Sequence, residues 1–248
     1  MPGLAGWCLA IAVGPLAAQD STSWRASGSY GFEAFKDRSP WQAAALGVTR
    51  RTPRLTVVAE GDAWRRFDQS DVAAVADVYT VFRRGSYAEW RLHWSPDADV
   101  VARTDAMLEL YQATGKGFEL SAGYRYGDYT NTNVDMANAS LAKYAGDWYL
   151  RARGTLAFQG GATGFALGVL ARRTFATADD LAEAQGGFGQ EVVILGPGSV
   201  DLAPTAWFAA RWQKRFASRW GGSIGGSWNH QEGIPNRAGL TFGLFSLF

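Results

Sequence analysis

The chain has only two imidazoles, His93 and His230. A hydrolase needs a nucleophile and a base within hydrogen-bond reach, and two local sets offer those types. His93 lies near Ser95, and His230 lies near Ser227 and Asn229. His230 is the better placed, beside the turn expected at Glu232-Gly233, where a lipid-modifying enzyme would work. However, alternation puts it on the apolar side of its run, with Trp228. Neither histidine has a second at metal-ligand spacing, so no metal site is expected. Gly221-Gly222 and Gly225-Gly226 resemble a phosphate loop in composition only. No Lys-Ser/Thr pair follows them, and as strand residues they would let backbones approach closely. Asn138-Ala139-Ser140 matches a glycosylation acceptor in pattern only. No catalytic residue and no cofactor is expected.

What remains is charge. Glu60, Asp62, Asp77, Glu89, Asp105 and Glu109 come from the earlier part of the chain. Arg91 and Arg103 accompany them, and Arg125, Arg151, Arg153, Arg172 and Arg211 follow. Each sits out of phase with the apolar residues around it. In Trp148 to Phe158, one side carries Trp148, Leu150, Ala152, Leu156 and Phe158. The other carries Tyr149, Arg151, Arg153 and Thr155. Phe118 to Tyr126, Ala102 to Tyr111 and Ala88 to Trp94 alternate in the same way. A period of two is the mark of β-strands with two unlike faces.

Turn residues separate these runs. They occur at Asp37-Arg38-Ser39-Pro40, Thr52-Pro53, Asp68-Gln69-Ser70, Arg84-Gly85, Ser95-Pro96-Asp97 and Thr114-Gly115. More follow at Asp128 to Asn131, Ala145-Gly146, Gly160-Gly161, Ala178 to Asp180, Ala217-Ser218 and Glu232-Gly233. The longest irregular stretch is expected from Val192 to Pro204. The runs number about fourteen (12–16 at the outside), each of about ten residues, a length that suits a tilted membrane-spanning strand. With the first strand rising outward, the Asp128, Val192 and Glu232 loops become extracellular and belong to the longer set. Val101 to Tyr111 and Asp180 to Gln185 also contain good helix formers, so short helices compete there.

The bulk composition agrees with a barrel. Of 248 residues, 14% are aromatic, with 11 Trp and 30 Gly, as interfacial aromatics and tight turns require. Mean hydropathy is slightly below zero, too polar for a helical membrane protein. The net charge of +1 gives no field that would favour nucleic acid. Leu9 to Leu16 form an apolar core followed by Ala17-Ala18-Gln19-Asp20, which reads as a signal peptide over residues 1–19. No Lys or Arg precedes that core, a departure that a start further upstream would explain. The single cysteine, Cys8, falls within it, so residues 20–248 form the expected barrel without a thiol. Trp24, Trp41, Trp64, Trp90, Trp94, Trp148, Trp207, Trp220 and Trp228 fall near run ends, as interfacial girdles would. The last run places Leu240, Phe242, Leu244 and Phe248 on one face, interrupted by Ser246. It reads as the signal that barrel assembly machinery recognises.

Gly123-Tyr124-Arg125-Tyr126, Ser140-Leu141-Ala142-Lys143-Tyr144 and Asp147-Trp148-Tyr149-Leu150-Arg151-Ala152-Arg153 resemble the YaiO family of outer-membrane β-barrels. Phe216-Ala217-Ser218-Arg219-Trp220 is similar to that family's late periplasmic turn. The resemblance implies a Gram-negative outer-membrane location and transfers no catalytic residue. Three functions are therefore carried forward. The first is a porin-like channel or conduit for small solutes or saccharides, its lumen lined by the charged set. The second is a structural or interaction barrel with a plugged lumen. The third is a lipid-modifying enzyme. The expected partners are outer-membrane lipid, the assembly machinery and a small solute or saccharide, with no nucleic acid.

Overall fold

The computed structural model describes residues 22–248. The expected signal peptide, with Cys8, lies outside the described residues. The described chain is one closed barrel of fourteen antiparallel strands, each paired with its sequence neighbours. They are β1 (Ser23–Phe35), β2 (Trp41–Arg51), β3 (Leu55–Arg66), β4 (Gln69–Arg83) and β5 (Ser86–Trp94). Then come β6 (Thr104–Gly115), β7 (Phe118–Tyr129), β8 (Thr132–Ala145), β9 (Trp148–Gln159) and β10 (Ala162–Thr174). The last are β11 (Leu181–Gly196), β12 (Ser199–Arg215), β13 (Trp220–Gln231) and β14 (Ile234–Leu247). β1 pairs with β14 from Arg25↔Leu247 to Phe35↔Arg237, and this closure removes every sheet edge. Phe248 completes it, exchanging two backbone hydrogen bonds with Trp24 at 2.9 and 3.0 Å.

Alternation decides which residues face lipid. Along β3, Thr56, Val58, Glu60, Asp62, Trp64 and Arg66 are buried, while Leu55, Ala59, Gly61, Ala63 and Arg65 are exposed. In a barrel the exposed face is the outside, and it is apolar: Leu46, Val72, Val169 and Phe188 are each more than 60% exposed. No water reaches backbone groups in a bilayer, so a closed ladder is the one strand arrangement that can carry such a face. The competing helices do not form. Thr104 onward is β6 and Leu181 onward is β11, because cross-strand partners on both sides outweigh local propensity.

Three tryptophans leave the outer face, and a fourth, Trp90, faces outward but stands at mid-strand on β5. Trp24, Trp148 and Trp220 stand on the outer face near the end that holds the termini, and Trp94 and Trp228 near the other end. Trp41 and Trp64 are instead buried at 3% and 4% exposure, and Trp207 is half-buried. All three are in phase with the inward positions of their strands.

The connections also differ from expectation. At the end away from the termini, most are two-residue turns, so there is no set of long loops. The exceptions are residues 36–40 between β1 and β2 and residues 95–103 between β5 and β6, and the latter fold inward: Ala98, Val100, Val101 and Ala102 are all at most 5% exposed. Asp71 Oδ2 holds this segment by accepting from the backbone N–H of Asp99, Val100 and Val101 at 3.0, 2.7 and 3.1 Å. Val192 to Pro204, expected as the longest irregular stretch, is instead the upper part of the β11–β12 hairpin.

Candidate functional site

The β11–β12 hairpin is longer than the wall on either side of it. β10 stops pairing with β11 at Ala166↔Gly189, and β13 stops pairing with β12 at Thr205↔Gln231. From Gln190↔Pro204 to Gly196↔Ser199, the hairpin strands pair only with each other. The departure point is Gly189, with φ +136°, where a side chain would run into the Phe165 carbonyl and Ala166. Only glycine relieves both constraints at once.

Beyond Gly189 the hairpin turns into the barrel mouth. Val192 and Ile194 join a buried cluster with Tyr129, Val134, Met136 and Ala157, inward residues of β7, β8 and β9. Val193 and Ala203 join another with Trp41, Trp64, Ala98, Val101 and Ile234. Three consecutive residues, Val192, Val193 and Ile194, are thus 3%, 1% and 6% exposed. A strand buried on both faces loses its alternation in this way. The tip docks through Gly198 N–H to the Asp99 carbonyl (2.8 Å) and Asn131 Nδ2 to the Gly198 carbonyl (2.9 Å). Gln159 Nε2 donates to the Val200 carbonyl at 2.7 Å. The mouth is therefore closed by an apolar layer made of the hairpin and the 95–103 segment.

Below that layer the interior is polar, and its charges are compensated pairwise along the wall. Arg91 meets Asp77 at 3.0 Å, and Arg125 Nε reaches both Asp105 oxygens at 2.8 Å. Arg153 pairs with Glu109, whose side chain is fully buried. Arg172 and Arg211 share Glu183 at 2.7 and 3.7 Å. Glu89 accepts from the Tyr79 and Tyr111 hydroxyls at 3.0 and 2.9 Å. Glu60 and Asp62 are buried on the inward face of β3. Arg103 does not lie on a strand; it ends the 95–103 segment. Arg151 faces inward from β9, within electrostatic reach of Glu89, Glu109 and Glu119.

Alternation alone missed several interior groups. Glu33 and Arg237 form a pair at 2.8 Å, with side-chain exposures of 0% and 1%. Asn229 Nδ2 donates to the other Glu33 oxygen at 3.0 Å. Glu183 and Asp71 were equally absent from the sequence set. Their signal was present, since each is in phase with inward neighbours, but each belongs to a run where small residues blur the two faces.

Between the polar pairs and the hairpin lies a cavity of about 230 Å³. Its lining includes Met107, Arg125, Met136, Asn138, Arg151, Arg153, Thr155, Gln185, Glu191 and Trp207. Trp207 Nε1 donates to Glu191 Oε1 at 3.1 Å. The indole lies over Gly187, where a methyl would stand 2.9 Å from Nε1.

The histidines take no part in this chamber. His93 packs against Trp64 at 5.5 Å, while the Ser95 hydroxyl donates to the Val72 carbonyl. His230 is on the outer face, stacked on Trp228, with Nδ1 2.6 Å from Asn236 Oδ1. Ser227 is on the opposite face of the same strand. Gly221-Gly222-Ser223-Ile224-Gly225 has the letters of a nucleophile elbow, but it runs straight through β13, and an elbow needs a strand-to-helix turn.

The architecture matches solved porin folds. OpdQ of Pseudomonas aeruginosa superposes with a TM-score of 0.51 at 8% identity, covering 92% of this chain and 98% of that one. The anion-selective porin from Comamonas acidovorans gives 0.50 at 7% identity, covering 92% and 99%. OmpT of Vibrio cholerae gives 0.50 at 7%, covering 92% and 97%. At these identities the likeness is one of fold. No curated protein matches the sequence. The model of the YaiO membrane beta barrel domain matches residues 25–192, which span β1 to the bend of β11. The chain is an outer-membrane β-barrel and belongs to the YaiO family.

Proposed function

We propose that this protein is a conduit for small solutes whose resting form is closed by its own hairpin. The observation that carries this reading is the burial of Val192, Val193 and Ile194 inside the mouth, above a polar chamber. Burying an aliphatic side chain is worth about 1.5–3 kcal/mol, so the closed form is the stable one. An apolar constriction excludes water and ions as long as it stays closed. Above Gly189 and Thr205 the hairpin strands have no register partners in β10 or β13, so lifting it breaks docking contacts but not the barrel ladder.

In this reading the end with the termini faces the periplasm and the hairpin mouth faces outward, as an even strand count allows. The outer face meets outer-membrane lipid, and Phe242, Leu244 and Phe248 on the last strand present the assembly signal. The charged set lines the passage, and small solutes or saccharides are the cargo.

The test is planar-bilayer conductance of the whole barrel and of a variant in which residues 193–201 are replaced by a two-residue turn. The intact barrel is expected to be silent or to open in brief bursts, and the variant to conduct steadily. Steady conductance of the intact barrel would refute the closed resting form. A silent variant with a normal heat-modifiable fold would leave the plugged structural barrel as the better reading.

A further inference from the structure

The chamber behind the hairpin contains polar groups that the protein itself leaves unsatisfied. Glu191 Oε2, Asn138 Oδ1 and Arg153 Nε are buried with no hydrogen-bond partner among the described residues. Arg125 and Arg153 are held by carboxylates in direct contact, whereas Arg151 feels Glu89, Glu109 and Glu119 without a direct ion pair among the described residues. Arg151 and Arg153 are alternate residues of β9, so their side chains leave the wall about 6–7 Å apart on the same face. Unpaired buried polar groups cost free energy, and such a set persists where an occupant satisfies it.

The set specifies that occupant's chemistry. The two lone oxygens require donors, and the two guanidinium groups require acceptors. Arginine's planar fork matches a carboxylate in two parallel hydrogen bonds. Met107, Met136 and the Trp207 indole provide apolar surface for a ring's C–H faces. A volume of about 230 Å³ lies below the range of drug-sized pockets and suits one small ring.

We propose that this chamber is a binding site for a sugar acid, with Arg151 as the carboxylate ligand. Glu191 and Asn138 accept its hydroxyls. Trp207, held by Glu191, lies against its ring. The proposal rests on the reading of the barrel as a solute conduit and names the solute class. Because Glu191 lies two residues beyond the bend at Gly189, occupancy of the site bears on the root of the hairpin.

Calorimetric titration with glucuronate, glucose and acetate tests this, using the intact barrel and the 193–201 replacement, which keeps Glu191. Glucuronate is expected to bind one or both barrels more tightly than either comparison compound. Arg151→Gln should weaken it at least about tenfold, the loss of one charge-assisted contact, with Arg151→Lys in between. Glu191→Gln should weaken glucuronate and leave acetate unchanged; it serves as the second arm should Arg151→Gln fail to fold. Absence of glucuronate binding to both barrels overturns the proposal, as does equal binding of glucose or acetate. Conductance separates the two readings. A silent 193–201 variant that still binds glucuronate refutes the conduit alone, and a conducting variant with glucuronate bound by neither barrel refutes the sugar-acid site alone.

Discussion

Replacing Asp71 with Ala removes one oxygen that receives three backbone N–H groups from Asp99, Val100 and Val101. The site is dry: Asp71 is 6% exposed and Val100 0%. A hydrogen bond to an ionised acceptor contributes about 1.5–3 kcal/mol net. Three donors share one charge here, so the total falls short of three full bonds. The donors left behind also lose their partner in a buried site. Together these give a loss of about 3–5 kcal/mol for docking of the 95–103 segment. At about 1.4 kcal/mol per tenfold, the open population of the segment rises by roughly 100- to 1,000-fold or more. Hydrogen exchange of the amides of residues 99–101 in detergent micelles reads this population directly. Asp71→Asn keeps an acceptor without its charge and should give a smaller increase. Exchange in Asp71→Ala within tenfold of the parent would refute the latch, because it would mean that packing of Ala98, Val100 and Val101 alone holds the segment.

Two other perturbations address the framework. Gly189→Ala places a Cβ at φ +136° against the Phe165 carbonyl and should cost at least about 1–3 kcal/mol, read as an earlier loss of the folded band on heating in gel assays. Gly61→Ala, where a methyl meets nothing within 4 Å, should change that midpoint very little, and equal effects at the two positions would rule out a special bend. Glu33→Gln and Arg237→Met each break a pair with side-chain exposures of 0% and 1%, and should each cost about 3–5 kcal/mol in urea unfolding from vesicles. The double variant should cost less than the sum, because the second change no longer strands a partner; strict additivity would show that the pair is not coupled.

The legibility of the site followed the regularity of the wall. β9 could be read residue by residue, because Trp148, Leu150 and Ala152 against Tyr149, Arg151 and Arg153 leave no doubt about the faces. The hairpin could not. Its Val192-Val193-Ile194-Leu195 run has no alternation, and Gly196-Pro197-Gly198 reads as loop. The run was itself the signal, since a strand buried on both faces reads as continuous apolar sequence. Trp41, Trp64 and Trp207 were misplaced for a related reason: an aromatic near a strand end suits a girdle or a plugged mouth equally well.

By itself the sequence determined the barrel, its fourteen strands and the family, because alternation and turns are local properties repeated in every strand. It also determined most of the inward charges, which follow from phase alone. Which charges pair was decided only by the register between strands: Glu109 reaches Arg153 across two intervening strands, and Arg151, one inward position away, feels Glu109 without that direct contact. The closed mouth, too, exists only in three dimensions. Gly189 releases the hairpin from β10, and residues far apart in sequence converge to bury both of its faces.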